Sequence, residues 1–313
     1  MNLNSAQLKA FATVADCHSF ERAACILHIT QSAISQRVKL LEDYLGKLLI
    51  VRGQPLGLTI AGERLLSFYK QQLLLECELL DAIGEKEESG FTSLAIALNA
   101  DSLTAWFFDA LQSVLEQNKL LLDLRVCDQN LTHHFLRKGE VLGCISAIGK
   151  SMQGCRTLPL GAMGYRAVAN QEFFQRFFSE GVNAISIKQT PVVDFDPLDQ
   201  LQNDYLSTEF NIGSGDFPKH RVPSVDAYMS LIQRGLAWGM LPEMLIKKQL
   251  ETGELIELSP KVIIKVPLYW HCSLIKSSSL KTVELALLKY ANQHLIPLEY
   301  TKPEMFNMVP KQF

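Results

Sequence analysis

The first part of the chain has the apolar period of short amphipathic helices. Apolar residues recur at i, i+3, i+4 and i+7 in residues 5–18, which predicts a helix there. A second helix is predicted over 20–27, capped by Ser19, and a third over about 31–44, capped by Thr30. Three helices with a tight turn between the second and third predict a helix-turn-helix.

The third helix carries polar side chains on its outward face. Their donors and acceptors suit base edges and phosphates in a DNA major groove. A solvated polar face is the competing interpretation, but the small Ala23 and Ala24 on the second helix let the third pack closely and project. The predicted DNA-binding residues on this helix are Thr30, Gln31, Ser32, Ser35, Gln36, Arg37 and Lys39.

Residues 48–52 and 58–59 read as strands on either side of a turn, which predicts a two-stranded wing with Arg52 within reach of phosphate. A long helical pattern follows over 61–88. A helix this apolar requires a partner, so we expect it to dimerise the chain.

A polar run at 85–90 separates this region from one in which short apolar runs alternate with helical stretches. That alternation predicts parallel α/β sheet in two lobes, and an α+β multi-domain chain overall. The predicted units are a DNA-binding domain (1–58), a linker helix (59–89), an effector domain (90–296) and a tail (297–313). Within the effector domain, lobe I comprises about 90–161 and 268–296, and lobe II about 162–267.

Composition narrows the class of protein. A net charge of −3 with 20% charged residues confines any DNA-binding surface to one region of the chain. The seven scattered cysteines contain no C-x-x-C pair, which is typical of reduced thiols in a cytosol. Neither a secretory signal nor an apolar run of membrane-spanning length is recognisable, so we expect a cytoplasmic protein without membrane contact.

Candidate ligand-binding residues lie where a predicted strand meets a helix at 99–102. Asn99, Asp101 and Ser102 could bind an amino acid there, with the carboxylate at the helix N-terminus. Capping of the helix by Asp101 or Ser102 is an equally good explanation.

Four further candidates follow or precede predicted elements. Ser146 and Asp194 end strands on the side where α/β sheets bind ligands, and Asp194 could pair with a cationic side chain. Ser224 and Asp226 precede a helix of lobe II, where capping competes evenly with ligand contact. Asp128, which follows a strand, is a weaker candidate because loop carboxylates are usually solvated.

Catalytic and metal-binding chemistry lacks support. His133 and His134 are adjacent, so their side chains point apart on a helix, and His271 beside Trp270 is better explained by packing. Neither a nucleophile elbow nor a P-loop is present. We therefore expect no enzyme activity and no cofactor.

The order of these parts resembles the LysR-type transcriptional regulators over nearly the whole chain. The N-terminal segments that carry the resemblance are Ser19-Phe20-Glu21-Arg22-Ala23-Ala24, Ile29-Thr30-Gln31-Ser32-Ala33-Ile34-Ser35-Gln36-Arg37 and Leu45-Gly46. Similarity to an arginine- and lysine-responsive subgroup, which activates a basic amino acid exporter or inhibits chromosome initiation, lies in Asn99-Ala100-Asp101-Ser102-Leu103, Val192-Val193-Asp194-Phe195-Asp196, Ser224-Val225-Asp226-Ala227 and Leu268-Tyr269-Trp270-His271.

The resemblance implies a winged helix-turn-helix, a linker helix and an effector domain with two lobes like a periplasmic binding protein. It also implies dimers paired into tetramers on promoter DNA, controlled by lysine or arginine, with contact to RNA polymerase a consequence of a role at promoters. An architectural or replication-linked DNA-binding protein and a small-molecule binding protein remain the alternatives.

Overall fold

The computed structural model describes residues 3–51, 53, 56–83, 91–127, 132–213 and 217–298. Its N-terminal elements are α1 (Ser5–Cys17), α2 (Phe20–Leu27), α3 (Gln31–Leu45), β1 (Ile50–Val51), β2 (Gly57–Leu58) and α4 (Ile60–Ala82). Backbone N–H groups donate to the side chains of Ser19 at the start of α2 and Thr30 at the start of α3, which confirms both predicted caps. The wing strands are shorter than predicted, and the last predicted turns of the linker helix lie outside the described residues.

The remaining elements belong to the effector domain. They are β3 (Thr92–Leu98), α5 (Ala100–Ser102), a π-helical turn (Leu103–Phe107), α6 (Phe108–Gln117), β4 (Leu120–Val126), α7 (Thr132–Arg137), β5 (Gly143–Ser146), β6 (Cys155–Asn170), α8 (Gln171–Phe178), α9 (Ala184–Gln189), β7 (Val192–Asp194), α10 (Leu201–Phe210), β8 (Lys219–Arg221), α11 (Val225–Gln233), β9 (Gly239–Pro242), α12 (Glu243–Thr252), β10 (Leu255–Glu257), β11 (Ile264–Ser273) and α13 (Ser278–His294). None of the helices in the described ranges is long and apolar enough to span a bilayer.

The main sheet is mixed, so the prediction of a parallel sheet is wrong for much of it. Strand β3 is parallel to both β4 and β5, as predicted, but β6 and β11 run antiparallel to each other. These two strands pass between the lobes, and β6 also pairs antiparallel with β9 and β10. The sequence pattern showed only the second half of β6, because Pro159 and Gly161 interrupt the first half.

The last helix connects two distant parts of the molecule. At its start, the carboxylate of Glu78 on α4 accepts hydrogen bonds from the Ser277 hydroxyl and from the Ser278 and Ser279 backbone N–H groups, at 2.7, 3.0 and 2.9 Å. Just past its end, Ile296 exchanges two backbone hydrogen bonds with Ala162 on β6, at the passage between the lobes. Helix α13 therefore spans lobe I from the linker helix to the strands that join the lobes.

Candidate DNA-binding face and effector cleft

The position of α3 is fixed by its apolar face and by the turn that precedes it. Ile34, Val38 and Leu41 have no exposed surface, and they pack in one core with α1 and α2. His28 ends α2 with a positive φ of 52°, which turns the chain into Thr30. Because these apolar residues hold one face of α3 against α1 and α2, the opposite face of α3 points outward.

That outward face contains the predicted DNA-binding side chains. Ser35 and Arg37 are half-buried, and the hydroxyls of Thr30 and Ser32 lie 2.9 Å apart in a hydrogen bond. Among the described residues, neither Arg37 nor Lys39 has a carboxylate partner, so both cations are available to phosphate. The exposed members are Thr30, Gln31, Ser32, Gln36 and Lys39. The predicted wing contact, Arg52, lies outside the described residues.

The linker helix α4 has an apolar stripe that the described residues leave exposed. Phe68, Leu75 and Leu79 expose 51, 42 and 59% of their surface and line a shallow groove along the helix. Their spacing places them on one face. An uncovered apolar stripe of this kind is typical of a helix that packs against another chain.

A cavity of about 130 Å³ lies between the lobes. On the side of lobe I it is lined by the start of the helix after β3. On the side of lobe II it is lined by the turn between β7 and α10. Its polar lining is largely acidic. The residues around it are Asn99, Ala100, Asp101, Cys127, Tyr165, Phe195, Asp196, Leu198, Asp199, Gln200, Leu201, Asp204 and Val266.

The helix after β3 begins without a side-chain cap. Its N-cap residue is Asn99, whose side chain makes no capping bond, so neither Asp101 nor Ser102 acts as a cap. Asn99 and Ser102 are buried, and the Oδ1 of Asn99 and the Oγ of Ser102 have no hydrogen-bond partner among the described residues. Unpaired buried polar atoms are costly, which favours ligand contact over capping at Asn99, a residue of the cavity lining. Ser102 is fully buried and is not in the cavity lining.

Asp101 and Asp199 face the same cavity from opposite lobes. Burial raises the pKa of Asp101 to about 6; the hydrogen bond that Tyr165 donates to its Oδ2 at 2.7 Å opposes the shift, and the charge of Asp199 adds to it. Burial likewise raises the pKa of Asp199, although the N–H groups of Phe195 and Leu201 donate to its carboxylate. Because burial disfavours the charge of both carboxylates, a cation placed between them would stabilise their ionised forms.

The structure gives other partners to two predicted ligand-binding residues. The carboxylate of Asp194, at the end of β7, forms an ion pair of 3.0 Å with Lys219 on the neighbouring strand β8, and Asp194 is not in the cavity lining. Ser146, the last residue of β5, is fully buried, and its hydroxyl accepts a hydrogen bond from the N–H of Ile148. Both residues end strands as predicted, but the contacts of Asp194 with the neighbouring strand and of Ser146 with the following loop could not be read from the strand ends.

Of the other three predicted residues, Ser224 and Asp226 are not in the cavity lining, and Asp128 is not among the described residues. Ser224 caps α11, since its hydroxyl accepts from the Ala227 N–H at 3.5 Å, and it is exposed, as is Asp226 in the first turn.

Sequence reasoning missed Asp199 and Tyr165. Asp199 reaches the cavity through a turn in which Asp196 accepts from the N–H groups of Leu198 and Asp199, at 2.6 and 3.1 Å. The Asp-Pro-Leu-Asp sequence is a recognisable turn signal, but it does not reveal which carboxylate faces the other lobe.

His133 and His271 lie in lobe I and are not in the cavity lining. The Nε2 atoms of His133 and His271 are 2.9 Å apart, and the ring of His271 also bonds Thr157 and the Ile148 carbonyl. Burial, helped by the nearby His133, lowers the pKa of His271 to about 4. Within the described ranges, His, Cys, Asp and Glu side chains form no group of three or more that could hold a metal ion.

A winged helix-turn-helix, a long linker helix and a two-lobed domain with a cleft define a class of ligand-responsive DNA-binding regulators. Residues 5–63 match the bacterial regulatory helix-turn-helix of the lysR family. The HTH-type transcriptional regulator ArgP of Pseudomonas fluorescens (strain Pf0-1) is 42% identical over 294 residues, covering 93% of this chain and 98% of ArgP. The chain therefore belongs to the LysR family of bacterial transcriptional regulators, which confirms the resemblance.

Solved structures support the same assignment over the full fold. The crystal structure of ArgP from Mycobacterium tuberculosis has a TM-score of 0.82 and 34% identity, covering 95% of this chain and 100% of that one. Full-length LysG from Corynebacterium glutamicum with bound effector Arg has a TM-score of 0.74 and 33% identity, covering 94% and 100%. The predicted fold class, a winged helix-turn-helix with a two-lobed effector domain, is confirmed.

Proposed function

We propose that this chain regulates promoters in response to a basic amino acid, arginine or lysine, bound in the cleft between the lobes. The observation that carries the proposal is the pair Asp101 and Asp199, which line one cavity from opposite lobes; burial raises the pKa of each, and the charge of Asp199 raises that of Asp101 further. A guanidinium or ammonium group would neutralise both and favour approach of the lobes. The arginine bound to the similar LysG supports this effector class.

The amino acid backbone of the effector would bind at the start of the helix after β3. The Oδ1 of Asn99 is an unused acceptor that suits the α-ammonium group, and the Oγ of Ser102 can donate to the α-carboxylate. The N–H groups of the first helical turn add further donors for the carboxylate. The proposed site therefore comprises Asn99, Asp101, Ser102 and Asp199.

DNA binding is proposed for the outward face of α3, from Thr30 to Lys39, with Arg52 of the wing as an additional phosphate contact. The uncovered stripe of Phe68, Leu75 and Leu79 supports a dimer through α4, and pairing of dimers would give a tetramer. The same proposal includes contact with RNA polymerase and control of amino acid export. It also includes the domain boundaries after residues 58, 89 and 296, which separate the DNA-binding domain, the linker helix, the effector domain and the tail.

Isothermal titration of the full chain tests the effector. Arginine and lysine should bind, whereas citrulline, which has the shape of arginine without its charge, should bind at least tenfold more weakly because it leaves both carboxylates unpaired. Norleucine is the corresponding neutral control for lysine. Equal affinity for arginine and citrulline would show that the acidic pair does not recognise the ligand.

A further inference from the structure

Lys70 lies at the point where the DNA-binding domain, the linker helix and lobe I meet. Its Nζ forms an ion pair of 2.9 Å with Asp16 near the end of α1, and it donates to the Glu140 carbonyl oxygen of lobe I at 3.3 Å. The Lys70 side chain is only 18% exposed. One ammonium group therefore has partners in both domains.

The apolar contacts of α4 change from one domain to the other at this residue. Leu66 and Tyr69, just before it, are buried in the core of the DNA-binding domain. Leu74, one turn after it, is buried in the core of the effector domain. Lys70 thus occupies the boundary between two cores that share one helix.

The backbone of lobe I touches α4 beside Lys70. Gly139 has a φ of +71°, and a Cβ there would lie 2.2 Å from the Cβ of Ser67. Only glycine combines that backbone conformation with so close an approach. The loop that carries the Glu140 carbonyl is therefore packed against the helix.

Glu78 provides a second attachment of α4 to lobe I, two turns further along, through its three hydrogen bonds at the start of α13. Among the described residues, each hydrogen bond and ion pair that runs from α4 to the effector domain ends on lobe I. Helix α4 is thereby held to lobe I on both sides of the Leu74 contact, and lobe II is left outside this attachment.

We propose that Lys70 is a positioning residue that couples the state of the effector domain to the DNA-binding domain. It holds the end of α1, and with it the three-helix unit, in a fixed orientation to lobe I. The proposal rests on the proposed effector response, but it concerns a contact distant from both the DNA-binding face and the cleft.

The test is Lys70→Met in the full chain, which keeps most of the apolar stem and removes the ammonium group. Operator affinity is measured with and without arginine, and arginine affinity without DNA. In the wild type, the ratio of the two operator affinities is the coupling, which is commonly about 5- to 150-fold in allosteric proteins. We expect K70M to bring this ratio close to one while arginine affinity changes less than about twofold.

Two companion variants separate coupling from general damage. Asp16→Asn removes the partner on α1 and should reduce the ratio as well, and the double variant should be no worse than K70M because both act on one contact. Lys247→Met, at an exposed position on α12 of lobe II, removes the same charge far from the junction and should leave the ratio unchanged.

Hydrogen exchange gives a readout that does not depend on any effector. In K70M, amides of residues 138–142 and of the last turn of α1 should exchange faster than in the wild type. Unchanged exchange, or a wild-type ratio in K70M, overturns the coupling role of Lys70. If the wild type itself ignores arginine, the proposed effector is wrong, and the exchange data alone then decide whether Lys70 holds the domains together.

Discussion

The DNA-binding face and the effector cleft use charge in opposite ways. On α3 the cationic side chains project toward water and have no carboxylate partner among the described residues, so any interaction they make is strongly screened by salt. In the cleft, Asp101 and Asp199 line the same cavity, and burial raises the pKa of each. The first surface is therefore expected to respond to ionic strength, and the second to the charge of a ligand and to pH.

Replacement of Asp199 by Asn should have the largest effect. Removing one partner of a buried charge pair commonly costs about 3–5 kcal/mol, so arginine affinity should fall by roughly 100-fold or more. Isothermal titration measures the loss, and Asp226→Asn at an exposed site is the matched control. A change below threefold would remove Asp199 from the proposed site.

Replacement of Gln36 and Arg37 by Ala should weaken specific operator binding by about 10- to 100-fold, since a good base contact contributes roughly 1–3 kcal/mol. The slope of log affinity against log salt should also fall by about one for the lost cation. Fluorescence anisotropy with labelled operator and with scrambled DNA separates the two effects. Full retention of specific binding would mean that this face of α3 does not read bases.

Arginine binding should weaken at low pH. Pairing with a cation requires the ionised form of Asp101, whose pKa is about 6 in the free protein, so affinity is complete above that pH and is lost as pH falls through it. Titration at pH 5 should give a dissociation constant about tenfold larger than at pH 7.5. Asp101→Asn should flatten this dependence, and an identical slope in that variant would assign the pH effect to another group.

The smallest effect expected is on stability. Thr30→Ala removes the side chain that accepts from the Ala33 N–H at 3.2 Å, which should lower the free energy of unfolding by about 1 kcal/mol. Thr30→Ser retains the cap and should unfold like the wild type in urea. Equal stability of the Ala and Ser variants would show that this cap is not what orders the start of α3.

The DNA-binding domain could be predicted from sequence because its signals are local. Ser19 and Thr30 cap their own helices, and the buried Ile34 and Val38 follow from helical period alone. The outward face of α3 then follows by exclusion. Each step depends on residues within a few positions of one another.

The cleft could be predicted only in part because it is formed by residues distant in sequence. Asn99, Asp101 and Ser102 were predicted from the strand-to-helix boundary that they occupy, and of these Asn99 and Asp101 line the cavity. Asp194 also lies at a strand end, but Lys219, 25 positions later, neutralises it from the adjacent strand, and no local pattern announces that pairing. To predict Asp199 one would have to know that a turn of lobe II faces lobe I, which the local sequence does not show.

The two ends of helix α13 are attached to different parts of the chain, so a tilt of the helix would displace one end relative to the other. Its 17 residues extend for about 25 Å, and an α-helix resists stretching over that length. A tilt of about 5° at the Ile296–Ala162 end would carry the Ser277 end sideways by roughly 2 Å, within the range of helix shifts that accompany switching. A small movement between the lobes would therefore displace the linker helix at Glu78. Helix α13 would transmit this movement as a rigid body, without any change in its own structure.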